Sequence, residues 1–250
     1  MQNKITQEVI EYIDWNEFFR FWKIRDTDCD EAKKLRADAL DLIKKLQNEN
    51  FYFGEAKIEF FDVEAQGDDI IICAKEPVLL RLLRQQTKKP QGQPYYCLSD
   101  FIEKGDKIGV FAITVGAEFD KKSQEFAEAD DMYLSLLYAS SAQRLVEALS
   151  EYYHKKYLDG RHGIRAAAGF PSLPDIRIMK DIDKILDFKS IGITLSENYM
   201  MSPLSSVCGF YITNPKAKYF AVGKIGEDQL KDYAERGGES VSEAKFWLGG

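Results

Sequence analysis

The sequence predicts an α+β fold with a mostly antiparallel sheet and flanking helices. Segments rich in β-branched and aromatic residues form two groups, one on each side of residues 120–158. That stretch has no glycine or proline, and its leucines and alanines recur at helical spacing. Connections within each group are short enough for hairpins, which favours antiparallel pairing. Strand groups separated by a long helix are typical of α+β proteins.

The first half of the chain predicts a covering helix followed by strands. Residues 30–50 place apolar side chains three or four positions apart, which predicts a helix with one buried stripe. That stripe consists of Leu35, Ala39, Leu42 and Leu46. Residues 55–75 predict two short strands joined by the polar turn "QGDD", and residues 106–116 predict another strand.

The second half predicts the helix over 120–158, unbroken or broken once, and then a helix over 175–187 capped by Asp175. Strands are expected in "IGITLS", "SVCGFYI" and "KYFAVGKI". The chain ends with helices in "EDQLKDYAERG" and "SVSEAKFWL", where Ser240 and Glu243 have the spacing of a capping box.

The domain organisation follows from what these 250 residues lack. They contain no internal repeat, low-complexity tract or Pro/Ser-rich linker. One domain over residues 1–250 is therefore favoured over two small ones, with an N-terminal helical segment, residues 1–50, packing on the α+β body.

Charge and cysteine usage limit the partners and the compartment. The net charge is −7, so a general nucleic-acid or anionic-membrane surface is not expected. The four cysteines are far apart with no C-x-x-C pair, which indicates reduced thiols and no zinc site. No window approaches the roughly 18 apolar residues of a membrane span, and a signal-peptide pattern is absent. We expect a cytoplasmic protein.

The common catalytic motifs are absent. The sequence has no phosphate-binding glycine loop, dinucleotide fingerprint or nucleophile elbow, and no catalytic or metal-ligating set can be named. Its two histidines, His154 and His162, are each compatible with a chemical role or with a surface or structural one.

The stretch "GIRAAAGFPSLPD", residues 163–175, has no helical or strand periodicity, which predicts irregular chain, and it is the strongest candidate for a ligand site. Its small residues would let the backbone approach a ligand closely, and its prolines would stiffen it. Arg165 offers a fork suited to a carboxylate, and Phe170 a flat face for a purine or a cation. The alternative is a surface loop in which Arg165 pairs with an acid and Phe170 belongs to the core.

Two other stretches leave similar alternatives open. Asp14 lies among the aromatics of "YIDWNEFFRFW", either as a helix N-cap or as a partly buried acid. Tyr219 and Phe220 are adjacent in an expected strand, so one would face the core and the other could contact a ligand.

Six blocks, taken in order, resemble the activation domain of cobalamin-dependent methionine synthase. They are "YIDWNEFF", "LRQQTKKP", "YYCLSDFI", "GIRAAAGFPSLPD", "TLSENYMMSPLSSVCGFYI" and "KYFAVGKIGEDQLKDYAERGG", and they run through nearly the whole chain. The resemblance implies a bent, mostly antiparallel sheet with flanking helices that binds S-adenosylmethionine. It also implies a role in the reductive repair of oxidised cobalamin, with an electron from a flavodoxin-like donor.

The resemblance assigns roles to individual residues. Arg165 occupies the position of the arginine that holds the methionine carboxylate, Ala167 that of a backbone contact, and Phe170 that of an aromatic beside the ligand. Asp14 matches the acid that contacts the amino group, and Glu147 a helix acid that faces the same pocket. The strand pair beside the ligand corresponds to Tyr219 and Phe220.

The sequence also departs from the family pattern. The family usually has tyrosine at Phe170, and a histidine facing the cobalamin module where this chain has Ile176. The segment between His154 and Arg161 is shorter than usual. These differences are compatible with a ligand site that keeps aromatic stacking at Phe170 but loses a hydroxyl contact, and they argue against an unchanged docking surface.

The cobalamin motif D-x-H-x-x-G does not occur in the sequence. We therefore expect a free-standing reactivation subunit that binds S-adenosylmethionine and acts in trans on the cobalamin-binding module of a separate methionine synthase. Basic stretches at 88–93 and at Lys155 and Lys156 are candidates for meeting the electron donor. The alternative is a non-catalytic interaction or regulatory module for a corrinoid protein.

Overall fold

A computed structural model describes residues 7–49, 54–158 and 163–249. These residues form two compact units. The first takes its residues from the chain up to Lys57, from Ile113–Tyr157 and from Phe188–Val207, and the second from Ile58–Ala112, Leu158–Asp187 and Cys208 onward. The expectation of one domain over the whole chain stays a prediction.

The first unit is mainly helical. Its helices are α1 (Gln7–Ile10), α2 (Trp15–Phe21), α3 (Asp30–Asn48), α4 (Glu118–Glu128) and α5 (Met132–Leu158, which reaches the unit boundary). The predicted stripe of α3 is buried, as its periodicity requires. The expected helix over 120–158 is broken once, between α4 and α5, where Asp130 adopts a left-handed φ of 60°. A small antiparallel hairpin completes the unit, formed by β6 (Thr194–Leu195) and β7 (Met201–Ser202).

The second unit contains most of a six-stranded sheet. Its strands are β1 (Glu55–Gln66), β2 (Asp69–Ile72), β3 (Val78–Leu80), β4 (Lys107–Thr114), β5 (Ile164–Ala167) and β8 (Ser206–Ile212). The order across the sheet is β3-β2-β1-β4-β8-β5. The pairs β1–β2, β2–β3 and β5–β8 are antiparallel, and the predicted turn between β1 and β2 uses Gly67 at φ 62°.

Three helices accompany this sheet in the second unit: α6 (Ile178–Leu186), α7 (Glu227–Gly237) and α8 (Val241–Trp247). The predicted cap of α8 is confirmed, because Ser240 Oγ accepts the backbone N–H of Glu243. A cluster of buried residues packs α7 and α8 against the chain that follows β3. Its members are Leu83, Val222, Leu230, Tyr233, Ala234 and Ala244.

Three local expectations were wrong. Residues 164–167, expected as irregular chain, form strand β5. Residues 218–225, expected as the strand "KYFAVGKI" and all described, form no strand, because their hydrogen bonds go to isolated partners, such as that from Val222 N–H to Pro171 O. Asp175 does not cap α6, since Arg177 occupies the N-cap position and the Asp175 carboxylate binds other groups.

Candidate functional site

The candidate site starts at strand β5, which lies at one edge of the six-stranded sheet. Arg165 pairs with Tyr211 of β8, and Ala167 pairs with Gly209. The approach of the two strands is unusually close: a Cβ at Gly209 would lie 2.2 Å from the carbonyl oxygen of Ala166. A glycine at position 209, opposite the edge strand, is therefore a packing requirement.

Tyr219 contacts the other side of this edge strand. Its hydroxyl accepts the backbone N–H of Arg165 at 3.1 Å, and the side chain is 64% exposed. A backbone donor at a sheet edge thus finds a side-chain partner instead of a further strand. The structure thereby brings together two residues of the predicted site that are 54 positions apart.

The chain after β5 forms a closed turn that we call the ligand loop, residues 168–175. Gly169 has φ 81° and donates its N–H to Leu173 O at 2.9 Å, and Leu173 donates to Phe170 O at 2.8 Å. Val222 N–H binds Pro171 O at 2.8 Å. Backbone hydrogen bonds therefore hold the loop, in addition to its two prolines.

The aromatic residues of the predicted site fall into two kinds. Phe170 is 49% exposed at the tip of the ligand loop, so the alternative that places it in the core is wrong. Phe220 packs against the buried cluster around Tyr233 and lies near Tyr96 and Phe101, with ring centroids 6.0 and 6.3 Å away. Tyr219 is accordingly the outward member of the pair, as the sequence predicted for one of the two. Ligand contact by Phe220 stays a prediction.

Asp14 and Glu147 belong to the first unit. Asp14 is an exposed N-cap of α2, because its Oδ1 accepts the N–H groups of Asn16 and Glu17 at 2.9 and 3.1 Å. The capping interpretation is confirmed and that of a partly buried acid is wrong. Glu147 is half-buried on α5. A ligand role for either acid stays a prediction.

A buried charged network, which the sequence did not predict, closes the far end of the ligand loop. Asp175 is 4% exposed and binds Arg177 Nε at 3.0 Å, Arg177 Nη2 at 2.7 Å and the Tyr233 hydroxyl at 2.8 Å. Glu239 accepts Nη1 of Arg177 and, at 2.6 Å, Nη1 of Arg81. The network comprises Arg81, Asp175, Arg177, Tyr233 and Glu239.

The network sets the ionisation of its carboxyl groups. Burial alone would raise the pKa of Asp175, but the hydrogen bonds from Arg177 and Tyr233 outweigh it and hold the pKa below the ordinary value. The pKa of Glu239 is also lowered, since its two arginines outweigh burial. Burial, followed by the nearby Asp175 charge, raises the pKa of Tyr233. Both acids are therefore ionised at neutral pH, and Tyr233 keeps its proton.

The histidines and cysteines form no second centre in the described ranges. His154 lies on α5 with Nδ1 3.5 Å from Glu151 Oε2, one turn away, whereas His162 lies outside the described residues. No group of three His, Cys, Asp or Glu residues within 7–49, 54–158 and 163–249 is arranged to hold a metal ion. All four cysteines are free thiols, and burial raises the pKa of Cys97. Among the described helices, none has the length and apolarity to cross a bilayer.

Comparison with known proteins identifies the class. Residues 5–238 match the family described as vitamin B12 dependent methionine synthase, activation domain. The match spans most of the chain, so the chain belongs to this family. It is similar to a solved structure described as the MetH reactivation domain bound to AdoHcy, with 32% identity and a TM-score of 0.90. That alignment covers 100% of this chain and 88% of the other. The resemblance and the α+β fold are thus confirmed.

Proposed function

We propose that this protein binds S-adenosylmethionine and supports the reductive methylation of cob(II)alamin on a separate cobalamin-dependent methionine synthase, in methionine biosynthesis. The observation that carries the proposal is the sheet edge where Arg165, Tyr219 and the ligand loop meet. The solved relative supports it, because that domain is described as bound to AdoHcy, which is S-adenosylmethionine without its transferable methyl group.

The chemistry of the edge fits the ligand. The Arg165 guanidinium suits the methionine carboxylate, and the loop backbone near Ala167 can approach the ligand, since only small side chains stand there. Phe170 and Tyr219 present exposed aromatic faces, which suit an adenine ring or a sulfonium cation. Asp14 and Glu147 are proposed for the positive centres, and Phe220 as support behind Tyr219.

The protein's contribution to the reaction is positioning. Methyl transfer needs the sulfonium carbon held in line with its acceptor, and no nucleophile of the domain itself is required. The 250 residues carry no D-x-H-x-x-G motif, so the cobalamin has to come from sequence outside them. We place it on a separate polypeptide, and we propose a flavodoxin-like protein as electron donor and the cytoplasm as the site of action.

The two basic stretches differ as docking candidates for the donor. Lys89 Nζ is engaged by Gln85 and by Pro94 O, so it is held in place, whereas Lys88 is exposed. Lys155 Nζ lies 4.5 Å from the centroid of the Tyr12 ring, and Lys156 lies over Tyr152 at 5.5 Å. Lys155 and Lys156 are exposed, so each remains available to an acidic partner while it lies over an aromatic ring, and we therefore keep both stretches as candidates.

Calorimetric titration of S-adenosylmethionine into the purified protein tests ligand binding. We expect saturable binding that Arg165→Ala weakens by at least about tenfold, since a charge-assisted bidentate contact is lost. Arg20→Ala is the matched control, because Arg20 is an exposed arginine paired with Glu17 in the first unit, and it should leave the affinity unchanged. Absence of binding by the wild type would overturn the proposal.

Reactivation is tested separately. The protein is added with S-adenosylmethionine and a reductant to an oxidised methionine synthase that lacks its own activation domain, and recovered methyltransferase activity is measured. Recovery that requires both the protein and the ligand supports action in trans. Capture of the cobalamin protein with equal affinity in the presence and absence of ligand, without recovery, would instead favour a non-catalytic interaction module.

A further inference from the structure

The ligand loop is anchored at both ends by different means. At its start, β5 pairs with β8, and Ala168 N–H binds Cys208 O at 2.9 Å. At its end, Asp175 belongs to the buried network, where its carboxylate accepts hydrogen bonds from Arg177 and Tyr233. The loop therefore has one anchor in the sheet and one in a set of charged side chains.

The second anchor reaches two other parts of the unit. Arg177 joins Asp175 to Glu239, which follows α7, and Arg81, which follows β3, also binds Glu239. Arg81 Nη1 further donates to the Tyr233 carbonyl in α7 at 3.0 Å, and its guanidinium lies 4.6 Å from the centroid of the Tyr233 ring. The loop end is thus fixed to α7 and to the chain after β3.

The network is balanced in charge and closely packed. It contains two carboxylates and two guanidinium groups, and the side chains of Asp175, Arg177 and Glu239 are 6%, 12% and 10% exposed. Ions this deeply buried are tolerated only when their partners hold them in good geometry. Arg177 meets this condition with a backbone N–H and three side-chain nitrogens directed at two acids.

We infer that Arg177 is a positioning residue for the ligand loop: by bridging Asp175 and Glu239 it fixes the loop end, and thereby holds Phe170 and the loop backbone in the ligand-binding geometry. Ile176, which lies between Asp175 and Arg177 in the chain, packs close to Gly169 at the start of the loop. Its Cγ2 lies 3.3 Å from the position that a Cβ on Gly169 would occupy. The consequence for affinity depends on the proposed function, whereas the effect on loop order does not.

Arg84 supplies a matched control in the same unit. It also bridges two acids, with Nη2 2.6 Å from Asp68 Oδ1 and Nη1 2.7 Å from Asp100 Oδ2, but it contacts no residue of the ligand loop through a described hydrogen bond or ion pair. Arg84→Gln and Arg177→Gln remove the same chemical group. A general loss of packing would therefore affect both variants alike.

Amide hydrogen exchange in the ligand-free protein tests the inference. We expect Arg177→Gln to speed exchange at Gly169 and Leu173, the donors of the loop hydrogen bonds, by at least about tenfold relative to the buried strand β4. Arg84→Gln should leave that ratio unchanged. Equal ratios in the two variants would overturn the inference. If Arg177→Gln does not fold, Tyr233→Phe, which removes one hydrogen bond from Asp175, takes its place with the same expected direction.

Titration with S-adenosylmethionine supplies the second readout. Arg177→Gln should weaken binding by about tenfold, Arg177→Lys should recover part of the loss, and Arg84→Gln should bind like the wild type. Unchanged affinity in Arg177→Gln would overturn the positioning role. Failure of the wild type to bind would overturn the proposed function alone, because the exchange measurement would still decide whether Arg177 orders the loop.

Discussion

The hydroxyl of Tyr219 accepts the backbone N–H of Arg165 at 3.1 Å. This hydrogen bond joins the exposed aromatic side chain of Tyr219 to the edge strand β5, two residues before Ala167. It fixes where the aromatic ring lies relative to the backbone of Arg165. We propose that this hydrogen bond keeps an aromatic face beside the arginine for a ligand that carries both a carboxylate and an adenine.

Tyr219→Phe is expected to weaken S-adenosylmethionine binding by severalfold with little change in stability. The variant keeps the aromatic face but loses the acceptor, and the Arg165 N–H returns to water at an exposed edge, a change of about 1 kcal/mol or less. Calorimetric titration and urea unfolding measure the two quantities. Tyr95→Phe, another partly exposed tyrosine of the same unit, is the control. Equal effects of the two substitutions on affinity would contradict a specific role for Tyr219.

The sequence predicted those parts of the fold in which local pattern and tertiary packing agree. The stripe of α3 repeats over about three turns, so its buried face follows from the helical period alone. The β1–β2 turn at Gly67 and the Ser240 cap depend on residues a few positions apart. Turns and caps that depend on such neighbouring residues can be predicted without knowledge of the rest of the chain.

The missed features depend on partners distant in the sequence. Strand β5 has only four residues, two of them alanine, so nothing local distinguishes it from a loop, and its pairing with β8 defines it. Asp175 has the residue type and position of a cap, but Tyr233, 58 positions away, and Arg177 use its carboxylate instead. The roles of Arg165 and Tyr219 came from the family resemblance, since spacing alone left alternatives open.

Substitutions at Asp14 separate its structural role from the ligand role that the resemblance implies. Asp14→Asn keeps a side-chain oxygen that can cap α2, so the free energy of unfolding should change little, whereas Asp14→Ala should lose about 1 kcal/mol. If Asp14 also meets the ligand ammonium, both variants should bind S-adenosylmethionine more weakly. Wild-type affinity in a stable Asp14→Asn variant would show that Asp14 is a cap alone.

Gly209→Ala tests the close approach of β5 and β8. The added Cβ would lie 2.2 Å from Ala166 O and 2.7 Å from Ala167 Cα, both backbone atoms that cannot rotate away. We expect a loss of about 3 kcal/mol in urea unfolding and weaker ligand binding, because β5 must shift. Gly67→Ala is the comparison, since its Cβ meets nothing within 4 Å and only the positive φ costs about 1 kcal/mol. Equal losses in the two variants would contradict close packing at this edge.

The charged network should contribute stability that depends on pH. The pKa values of Asp175 and Glu239 are held below the ordinary values of 3.8 and 4.5, so the unfolded chain binds these protons more tightly than the folded one. The contribution is therefore fully present above about pH 5 and is lost as the pH falls through the lowered folded values.

The variant Arg177→Gln tests this pH dependence of the stability. At pH 7 it should lower the free energy of unfolding by about 3 kcal/mol, because it leaves the buried Asp175 carboxylate with only Tyr233 as side-chain partner. Below about pH 5 the gap from the wild type should narrow, since an Asp175 without Arg177 takes up a proton at higher pH and its burial then costs less. Urea unfolding between pH 3 and 7 measures the gap. Ser240→Ala is the control: it removes an uncharged cap, so its difference from the wild type in free energy of unfolding should not change with pH. A difference that is equally independent of pH in Arg177→Gln would mean that charge pairing does not stabilise the loop end.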